Sequence, residues 1–308
     1  MTAWILYLVI IVVLVLAIIL FIVNKKLFNP KTKILYSPTD EYHDIYIPIG
    51  NRHGKGYRRS KRPNIPCING WHFKDYGSEK TILYLHGNIG NNGHREYVIN
   101  MCKNLKINLF LLDYRGYGRS NKHPTAKGIC EDSQSAYKYL RNQIGDKNII
   151  VWGESLGGAA AVWVASQYHC CCLVLASTFS STDDILGQDP NSGTSSKWLA
   201  KLVAYATDTL PNKQWIKHVQ SPIVILHSPD DEMIPYKCSQ ILYENAHKSS
   251  KKIHIKIGGG HSSPEITKEQ FKQVLHYCKL DSKECSSRIP AMMDKLKNAG
   301  QECFPDYV

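Results

Sequence analysis

The sequence lacks the short motifs by which metal and cofactor sites are usually recognised. It has no C-x-x-C and no H-E-x-x-H spacing, so a zinc site is not expected although cysteine and histidine are numerous. It also has no G-x-x-x-x-G-K-[ST] loop and no G-x-G-x-x-G after a strand-like run, which leaves phosphate-binding cofactors without support. We therefore expect a protein that works without a metal or a cofactor.

Glycosylation sequons are missing too, because no Asn-x-Ser/Thr triplet occurs although asparagine is frequent. Ten cysteines in 308 residues are too dilute to be the main source of stability, so disulfides are not required. Three of them are consecutive, Cys170 to Cys172, and are easiest to keep as free thiols in a reducing compartment. Both features favour the cytosol, although lumenal domains can also lack sequons.

Acidic residues are in the minority: 26 Asp and Glu against 38 Lys and Arg give a formal net charge of +12. Such an excess attracts polyanions, and composition alone allows either nucleic acid or an anionic membrane surface. The length and the hydrophobic fraction of 43% suit one large globular domain with an appendage.

An apolar run at residues 4–23, WILYLVIIVVLVLAIILFIV, contains no charged residue. At about 1.5 Å per residue, roughly twenty residues cross a hydrocarbon core of about 30 Å. A cleaved signal peptide is the alternative, but the run exceeds the usual apolar segment and no A-x-A-like site follows it. Lysines follow the run and no side-chain charge precedes it, so the positive-inside rule favours a cytosolic body over a lumenal one. We predict a transmembrane anchor over residues 1–23, a basic connector over 24–42, and no nucleic-acid partner.

Residues 43–280 have the pattern of an α/β domain. Short apolar runs rich in β-branched residues alternate with helical patterns, which indicates a mostly parallel sheet with covering helices. The strand-like runs lie at 45–49, 67–73, 82–85, 109–112, 149–152, 173–176, 223–226 and 253–257, and the helical patterns at about 94–105, 125–143, 156–168, 236–247 and 265–278. The stretch 180–221 has no strand but a helical segment near 196–206, so we expect a small cap there. Residues 281–308 are predicted to be a C-terminal tail.

One loop between the first two strand-like runs is basic. Its positive residues lie among glycines and prolines, and they are Arg52, Lys55, Arg58, Arg59, Lys61 and Arg62. The loop is either solvated or in contact with lipid phosphates, and the sequence leaves both interpretations open.

The strongest chemical signal is the G-x-S-x-G pattern at residues 153–157, GESLG. A strand-like run, NIIVW, leads into it and a helix of small residues leads out, which is the strand-turn-helix setting of a nucleophile elbow. The glycines permit a tight turn that places the serine hydroxyl at the carboxyl end of the strand. Ser155 is therefore the candidate nucleophile.

A serine hydroxyl needs a base, and the base needs an acid that orients it. His261 comes after three glycines at the end of the final strand-like run. The candidate acids follow the run at 223–226, with Asp231 preferred over Asp230 and Glu232. Along the chain the serine comes first, the acid second and the histidine third, each after the end of a strand-like run.

The reaction also needs donors for a developing oxyanion, and these are usually backbone N–H groups. The turn His86-Gly87-Asn88 follows the run at 82–85 directly. We expect the backbone N–H of Asn88 and that of Leu156 to form the pair, with a simple turn as the alternative interpretation of residues 86–88.

Five ordered motifs together resemble the alpha/beta-hydrolase superfamily, and most closely its single-span alpha/beta-hydrolase-domain-containing serine hydrolases. They are LHGNIGN (85–91), LDYRGYGRS (112–120), GESLGG (153–158), ILHSPDDEMIP (225–235) and GGGH (258–261). The resemblance covers roughly residues 35–280. It implies an alpha/beta-hydrolase fold, in which helices cover both faces of a mostly parallel sheet under a small cap, here preceded by one transmembrane helix.

The resemblance also implies a role for individual residues. Ser155 would be the nucleophile, Asp231 the acid and His261 the base, with Asn88 and Leu156 as oxyanion donors. Two departures affect only local turns: Ser228 stands where the family has glycine, and Lys122 stands near another expected glycine.

The sequence thus predicts a membrane-anchored serine hydrolase that cleaves acyl esters or thioesters of lipids or acylated proteins, depalmitoylation included, through an acyl-enzyme. A serine peptidase or amidase is one alternative, because the same triad cleaves amides. A non-catalytic binding scaffold is another, and loss of a triad member would mark it. No member is lost here.

Overall fold

The computed structural model describes residues 2–38, 42–50, 53–58, 63–182, 184 and 210–298. Its helices are α1 (Thr2–Leu27), α2 (Glu96–Leu105), α3 (Ala126–Ile144), α4 (Leu156–Gln167), α5 (Asn212–Trp215), α6 (Tyr236–Asn245), α7 (Lys268–Tyr277) and α8 (Lys283–Asn298). Its strands are β1 (Asn29–Pro30), β2 (His43–Pro48), β3 (Tyr57–Arg58), β4 (Cys67–Phe73), β5 (Thr81–Leu85), β6 (Ile89–Gly90), β7 (Asn108–Asp113), β8 (Ile149–Glu154), β9 (Cys172–Ala176), β10 (Ile223–His227), β11 (Lys252–Lys256), β12 (Gly258–Gly259) and β13 (Pro264–Glu265).

The main sheet has nine strands within the described ranges, in the order β11-β10-β9-β8-β5-β7-β4-β2-β3. Neighbours from β11 to β7 are parallel, whereas β4, β2 and β3 join antiparallel at one edge. This confirms the predicted mostly parallel sheet. The carboxyl ends of its parallel strands meet at a single edge, where ligand sites of open α/β sheets lie.

Helices cover both faces of the sheet because its central strands are apolar on both sides. In β5, Leu83 and Leu85 belong to a core shared with α3 and α4, whereas Ile82 and Tyr84 belong to a second core shared with α2, α7 and α8. All five residues of β5 are buried. Such strands appear in a sequence as continuous apolar runs, which is how they were predicted.

The first helix, α1, exposes the large apolar side chains that the structure describes on it. Those described between Trp4 and Ile18 are 46% to 81% exposed. Across the residues that the structure describes, no helix combines the length and the hydropathy needed to cross a bilayer. The predicted span over residues 4–23 is therefore not confirmed. Beyond α1 the chain is attached to the domain by the buried Phe28 and by β1, which pairs with β6.

The C-terminal region differs from the predicted tail, because α8 packs against α2. One side of α8 is buried in the second core, and its buried apolar residues are Cys285, Ile289, Met292 and Leu296. The described domain thus continues past the predicted boundary at residue 280, up to Asn298. Of the predicted cap over 180–221, residues 183 and 185–209 lie outside the described residues, as do residues 299–308 of the predicted tail.

Candidate active site

Ser155 lies at the sharp turn between β8 and α4, at the carboxyl edge of the sheet. Its backbone has φ 51° and ψ −118°, which is a left-handed conformation that glycine favours and other residues avoid. The turn lifts the serine out of the strand at the point where α4 begins. The sequence pattern predicted this setting, and the structure has it.

Two neighbouring glycines allow α4 to start so close to the sheet. A Cβ atom on Gly157 would overlap the backbone carbonyl of Leu85 in β5. A Cβ atom on Gly153 would overlap the carbonyl of Gly157 and, at 2.6 Å, the side chain of Ala161. Any side chain at either position would push α4 away from the sheet and displace Ser155.

The structure brings Ser155, His261 and Asp231 together. Ser155 Oγ lies 3.1 Å from His261 Nε2, and His261 Nδ1 lies 2.8 Å from Asp231 Oδ2. With its Nδ1 proton donated to the carboxylate, His261 presents the Nε2 lone pair to the serine hydroxyl. This is the arrangement of a nucleophile, a base and an orienting acid.

Asp231 is held by donors on both of its oxygens. The backbone N–H groups of Met233 and Ile234 donate to Oδ1 at 3.0 and 2.7 Å. Oδ2 faces His261 and, at 3.2 Å, the Nε2 atom of His227. The alternative acids lie elsewhere: Asp230 is exposed, and Glu232 accepts a hydrogen bond from the backbone N–H of His261 at 3.0 Å.

These contacts move the two pKa values in opposite directions. Burial raises the pKa of Asp231, but hydrogen bonds from His227 and His261 outweigh burial and hold it well below its usual range. Burial lowers the pKa of His261, but the hydrogen bond and charge of Asp231 raise it further, with smaller contributions from Glu154 and Glu232. The pKa of His261 therefore lies above its ordinary value, and Asp231 stays ionised beside it.

The predicted oxyanion donors lie on either side of the serine. Leu156 is the first residue of α4, where backbone N–H groups have no partner within the helix. Residues 86–88 pass close to the nucleophile, since a Cβ atom on Gly87 would be 3.4 Å from that of Ser155. Tyr117 donates its hydroxyl proton to the Asn88 carbonyl at 2.8 Å and so fixes this turn. The use of the two N–H groups as a pair stays a prediction.

Sequence reasoning did not identify His227 as part of the site. Its ring is fully buried, and its Nε2 lies within reach of two acceptors, Asp231 Oδ2 and, at 3.0 Å, the Ile234 carbonyl. Two acceptors at one nitrogen require the proton there, so His227 is a donor to the acid. The available signal was its position, four residues before Asp231 at the end of an apolar run.

Asn91 was missed as well. It is fully buried in the loop after β5, and its amide Nδ2 donates to the carbonyls of Lys31 and Lys33 at 2.8 and 2.9 Å. Its Oδ1 accepts from the backbone N–H of Gly93 at 2.9 Å. Asn91 thus joins the segment after α1 to the loop that carries Asn88.

The comparisons with known proteins agree with the observed fold. A family model described as alpha/beta hydrolase fold matches residues 80–199. An esterase from Pyrococcus furiosus superimposes with a TM-score of 0.59 at 22% identity, over 87% of this chain and 98% of that one. The chain has the alpha/beta-hydrolase fold. The predicted resemblance to that superfamily is confirmed.

Two relatives extend the similarity in sequence. Alpha/beta hydrolase domain-containing protein 17C of Xenopus tropicalis is 28% identical over 204 residues, which are 65% of this chain and 62% of that protein. The human protein 17B is 26% identical over 200 residues, 64% of this chain and 65% of that protein. The match therefore spans less than two thirds of these relatives.

Proposed function

We propose that this alpha/beta hydrolase is a serine hydrolase that cleaves acyl esters or thioesters. The observation that carries the proposal is the chain of contacts from Ser155 Oγ through His261 to Asp231, at 3.1 and 2.8 Å, on a left-handed turn. A partly buried serine whose hydroxyl faces an imidazole held by a buried carboxylate is set up for nucleophilic attack.

In the proposed mechanism Ser155 Oγ attacks the acyl carbonyl carbon while His261 Nε2 accepts its proton. The carbonyl oxygen becomes an oxyanion that the N–H groups of Asn88 and Leu156 would stabilise. Collapse of the tetrahedral intermediate breaks the bond to the alcohol or thiol, which takes the proton from His261 and leaves an acyl-Ser155 ester. Water then loses a proton to His261 and attacks this ester. The bond between the acyl carbon and Ser155 Oγ breaks, the acid is released, and His261 returns the proton to Ser155 Oγ.

An ester or thioester is favoured over an amide by the names of similar proteins. The superimposed structures include an esterase and, at a TM-score of 0.53 and 14% identity, a monoacylglycerol lipase from Paleococcus ferrophilus. The proposed substrates carry their acyl group on a lipid or on an acylated protein. Hydrolysis rates with matched acyl esters, acyl thioesters and aminoacyl amides separate this function from a peptidase.

The proposed membrane anchor is supported by the exposed apolar side chains of α1. Exposed apolar surface of this extent is unfavourable in water and favourable in a bilayer. The proposed orientation, with the hydrolase domain in the cytosol, rests on the lysines that follow the apolar run at residues 4–23. Alkaline carbonate extraction tests the anchor, and protease protection of a C-terminal tag in sealed microsomes tests the side. A tag that stays intact until detergent is added would place the domain in the lumen.

Labelling with a fluorophosphonate probe tests the nucleophile. We expect the wild-type chain to be labelled and Ser155→Ala to be unlabelled. Ser135→Ala is the matched control, because Ser135 lies on α3 and donates to the Glu131 carbonyl of the same helix at 2.8 Å. Equal labelling of wild type and Ser155→Ala would refute the assignment, and absence of label from a folded wild type would favour a scaffold.

A further inference from the structure

His261 lies on a tight loop between two short strands. β12 and β13 pair antiparallel and enclose the loop 260–263. Gly259 has φ 76°, in the left-handed region, and a Cβ atom there would overlap the carbonyl of Ser263. The loop is partly exposed and follows a run of glycines at 258–260, the residue type with the greatest backbone freedom. The local sequence therefore does little to fix the backbone of His261.

Asp231 fixes the ring of His261 rather than its backbone. Asp231 Oδ2 lies 2.8 Å from His261 Nδ1, while Nε2 lies 3.1 Å from Ser155 Oγ. The imidazole is joined to the backbone through two rotatable bonds, so a shift of the loop 260–263 moves Nε2 even if the contact of Nδ1 persists. A general base must lie within about 2.6–3.2 Å of the group whose proton it takes. A contact that fixes the backbone of His261 would maintain this distance.

Glu232 makes a contact of that kind. Its Oε2 accepts a hydrogen bond from the backbone N–H of His261 at 3.0 Å. A Cβ atom on Gly260 would lie 2.8 Å from the same oxygen, so the carboxylate approaches the loop where the chain has no side chain. Hydrogen bonds to a carboxylate are roughly twice as strong as those between neutral groups. The contact joins the loop that carries the base to the loop that carries the acid.

The loop that carries Glu232 is itself held by hydrogen bonds. The backbone N–H groups of Met233 and Ile234 donate to Asp231 Oδ1 at 3.0 and 2.7 Å. Asp231 is 8% exposed, so these bonds are largely shielded from water, whereas the neighbouring Glu232 is exposed. Two consecutive carboxylates thus hold one histidine, the first through its ring and the second through its backbone.

We propose that Glu232 is a positioning residue: by accepting from the backbone N–H of His261, it keeps Nε2 within reach of Ser155 Oγ. The inference rests on the proposed function, in which His261 takes and returns a proton in both acylation and deacylation. Displacement of a reacting group by about 1 Å can lower a rate about 10²-fold. Loss of the contact should therefore slow both steps and leave substrate binding unchanged.

Glu232 also carries a charge, and two variants separate its effect from that of the contact. Burial lowers the pKa of His261, the hydrogen bond and charge of Asp231 outweigh burial, and the charges of Glu154 and Glu232 raise that pKa further. Glu232→Gln removes the charge but keeps a carbonyl oxygen that can accept from the N–H group. Glu232→Ala removes both the charge and the acceptor.

Hydrolysis of 4-nitrophenyl butyrate by the full chain in phosphatidylcholine nanodiscs tests the proposal. We expect Glu232→Ala to lower kcat about ten- to a hundredfold with KM unchanged. Glu232→Gln should restore most of kcat, with the acidic midpoint of its pH profile at lower pH than in wild type. Glu265→Ala is the matched control and should behave as wild type, because it removes an exposed carboxylate from β13 of the same hairpin.

Hydrogen exchange of a peptide that covers residues 258–263 reports on the contact itself, and it should be faster in Glu232→Ala than in Glu232→Gln. Equal losses of kcat in the two Glu232 variants would assign the effect to charge and overturn the proposal. So would a folded Glu232→Ala that matches wild type in kcat, with circular dichroism to show that it is folded. A wild type that hydrolyses the ester no faster than Ser155→Ala would instead overturn the proposed function, and this inference with it.

Discussion

The left-handed backbone of Ser155 predicts that this residue, the proposed nucleophile, lowers the stability of the fold. Ser155→Ala and Ser155→Gly both remove the hydroxyl, but only the alanine keeps a Cβ atom at φ 51° and ψ −118°. A non-glycine residue in such a region costs about 1–3 kcal/mol. Glycine removes that cost but gives up about 0.4–1 kcal/mol, because it gains more freedom in the unfolded chain. Ser155→Gly should therefore be more stable than Ser155→Ala by about 1 kcal/mol.

Thermal unfolding of the two variants measures this difference. For a domain of this size, about 1 kcal/mol corresponds to roughly 2–4 °C in Tm. The same pair of substitutions at Ser135 is the control, because that residue lies inside α3, where glycine should be less stable than alanine by about 1 kcal/mol. The difference in Tm between the glycine and the alanine variant should thus have opposite signs at the two sites. If Ser155→Ala were as stable as Ser155→Gly or more so, the elbow would not be strained.

Three further predictions concern the surroundings of the serine. Asp231→Asn removes the charge that raises the pKa of His261. In wild type, kcat/KM should therefore fall at acidic pH with a midpoint above about pH 6.5, and in the variant this midpoint should move to lower pH. The rate itself should fall about 10³- to 10⁴-fold. Gly157→Ala should lower the free energy of unfolding in urea by about 3 kcal/mol or more. Gly258→Ala is the control and should change it little, because the added Cβ atom would have no contact closer than 3.6 Å. His227→Phe should cost about 1–3 kcal/mol in the same assay, because it leaves buried acceptors without their donor; no change would contradict its role.

The free energy of unfolding at acidic pH should depend on Asp231 as well. Its folded pKa is depressed, so its contribution is present above the ordinary aspartate value of about 3.9 and is lost as the pH falls through and below that value. His261 acts in the opposite sense: its raised pKa stabilises the fold below about pH 6.5, and this part is lost as the pH rises through the folded value.

The three residues of the proposed triad could be picked out from the sequence because parallel strands place their carboxyl ends at one edge. Once 149–152, 223–226 and 253–257 are recognised as strands, Ser155, Asp231 and His261 follow from their positions after those runs. The choice of Asp231 over its acidic neighbours needed a family resemblance, since sequence does not show which carboxylate turns inwards. The structure explains the choice through the donors that hold its two oxygens.

Other features depend on contacts between distant parts of the chain, which local patterns do not reveal. His43 and His72 lie opposite each other because β2 pairs antiparallel with β4, in a register that was unknown beforehand. The last helix, α8, contains Pro290, a residue that disfavours helix interiors, and many charged residues. Its signal was the spacing of Cys285, Ile289, Met292 and Leu296, which places them on one face of a helix.

The segment after α1 links the apolar helix to the chemistry of the site. Phe28 is buried, β1 pairs with β6, and Asn91 binds the carbonyls of Lys31 and Lys33. The chain is thereby fixed against the same loop that carries Asn88, so α1 joins the domain at the triad edge. If α1 enters a bilayer, as proposed, the short segment to β6 keeps Ser155 within reach of acyl chains that leave the membrane.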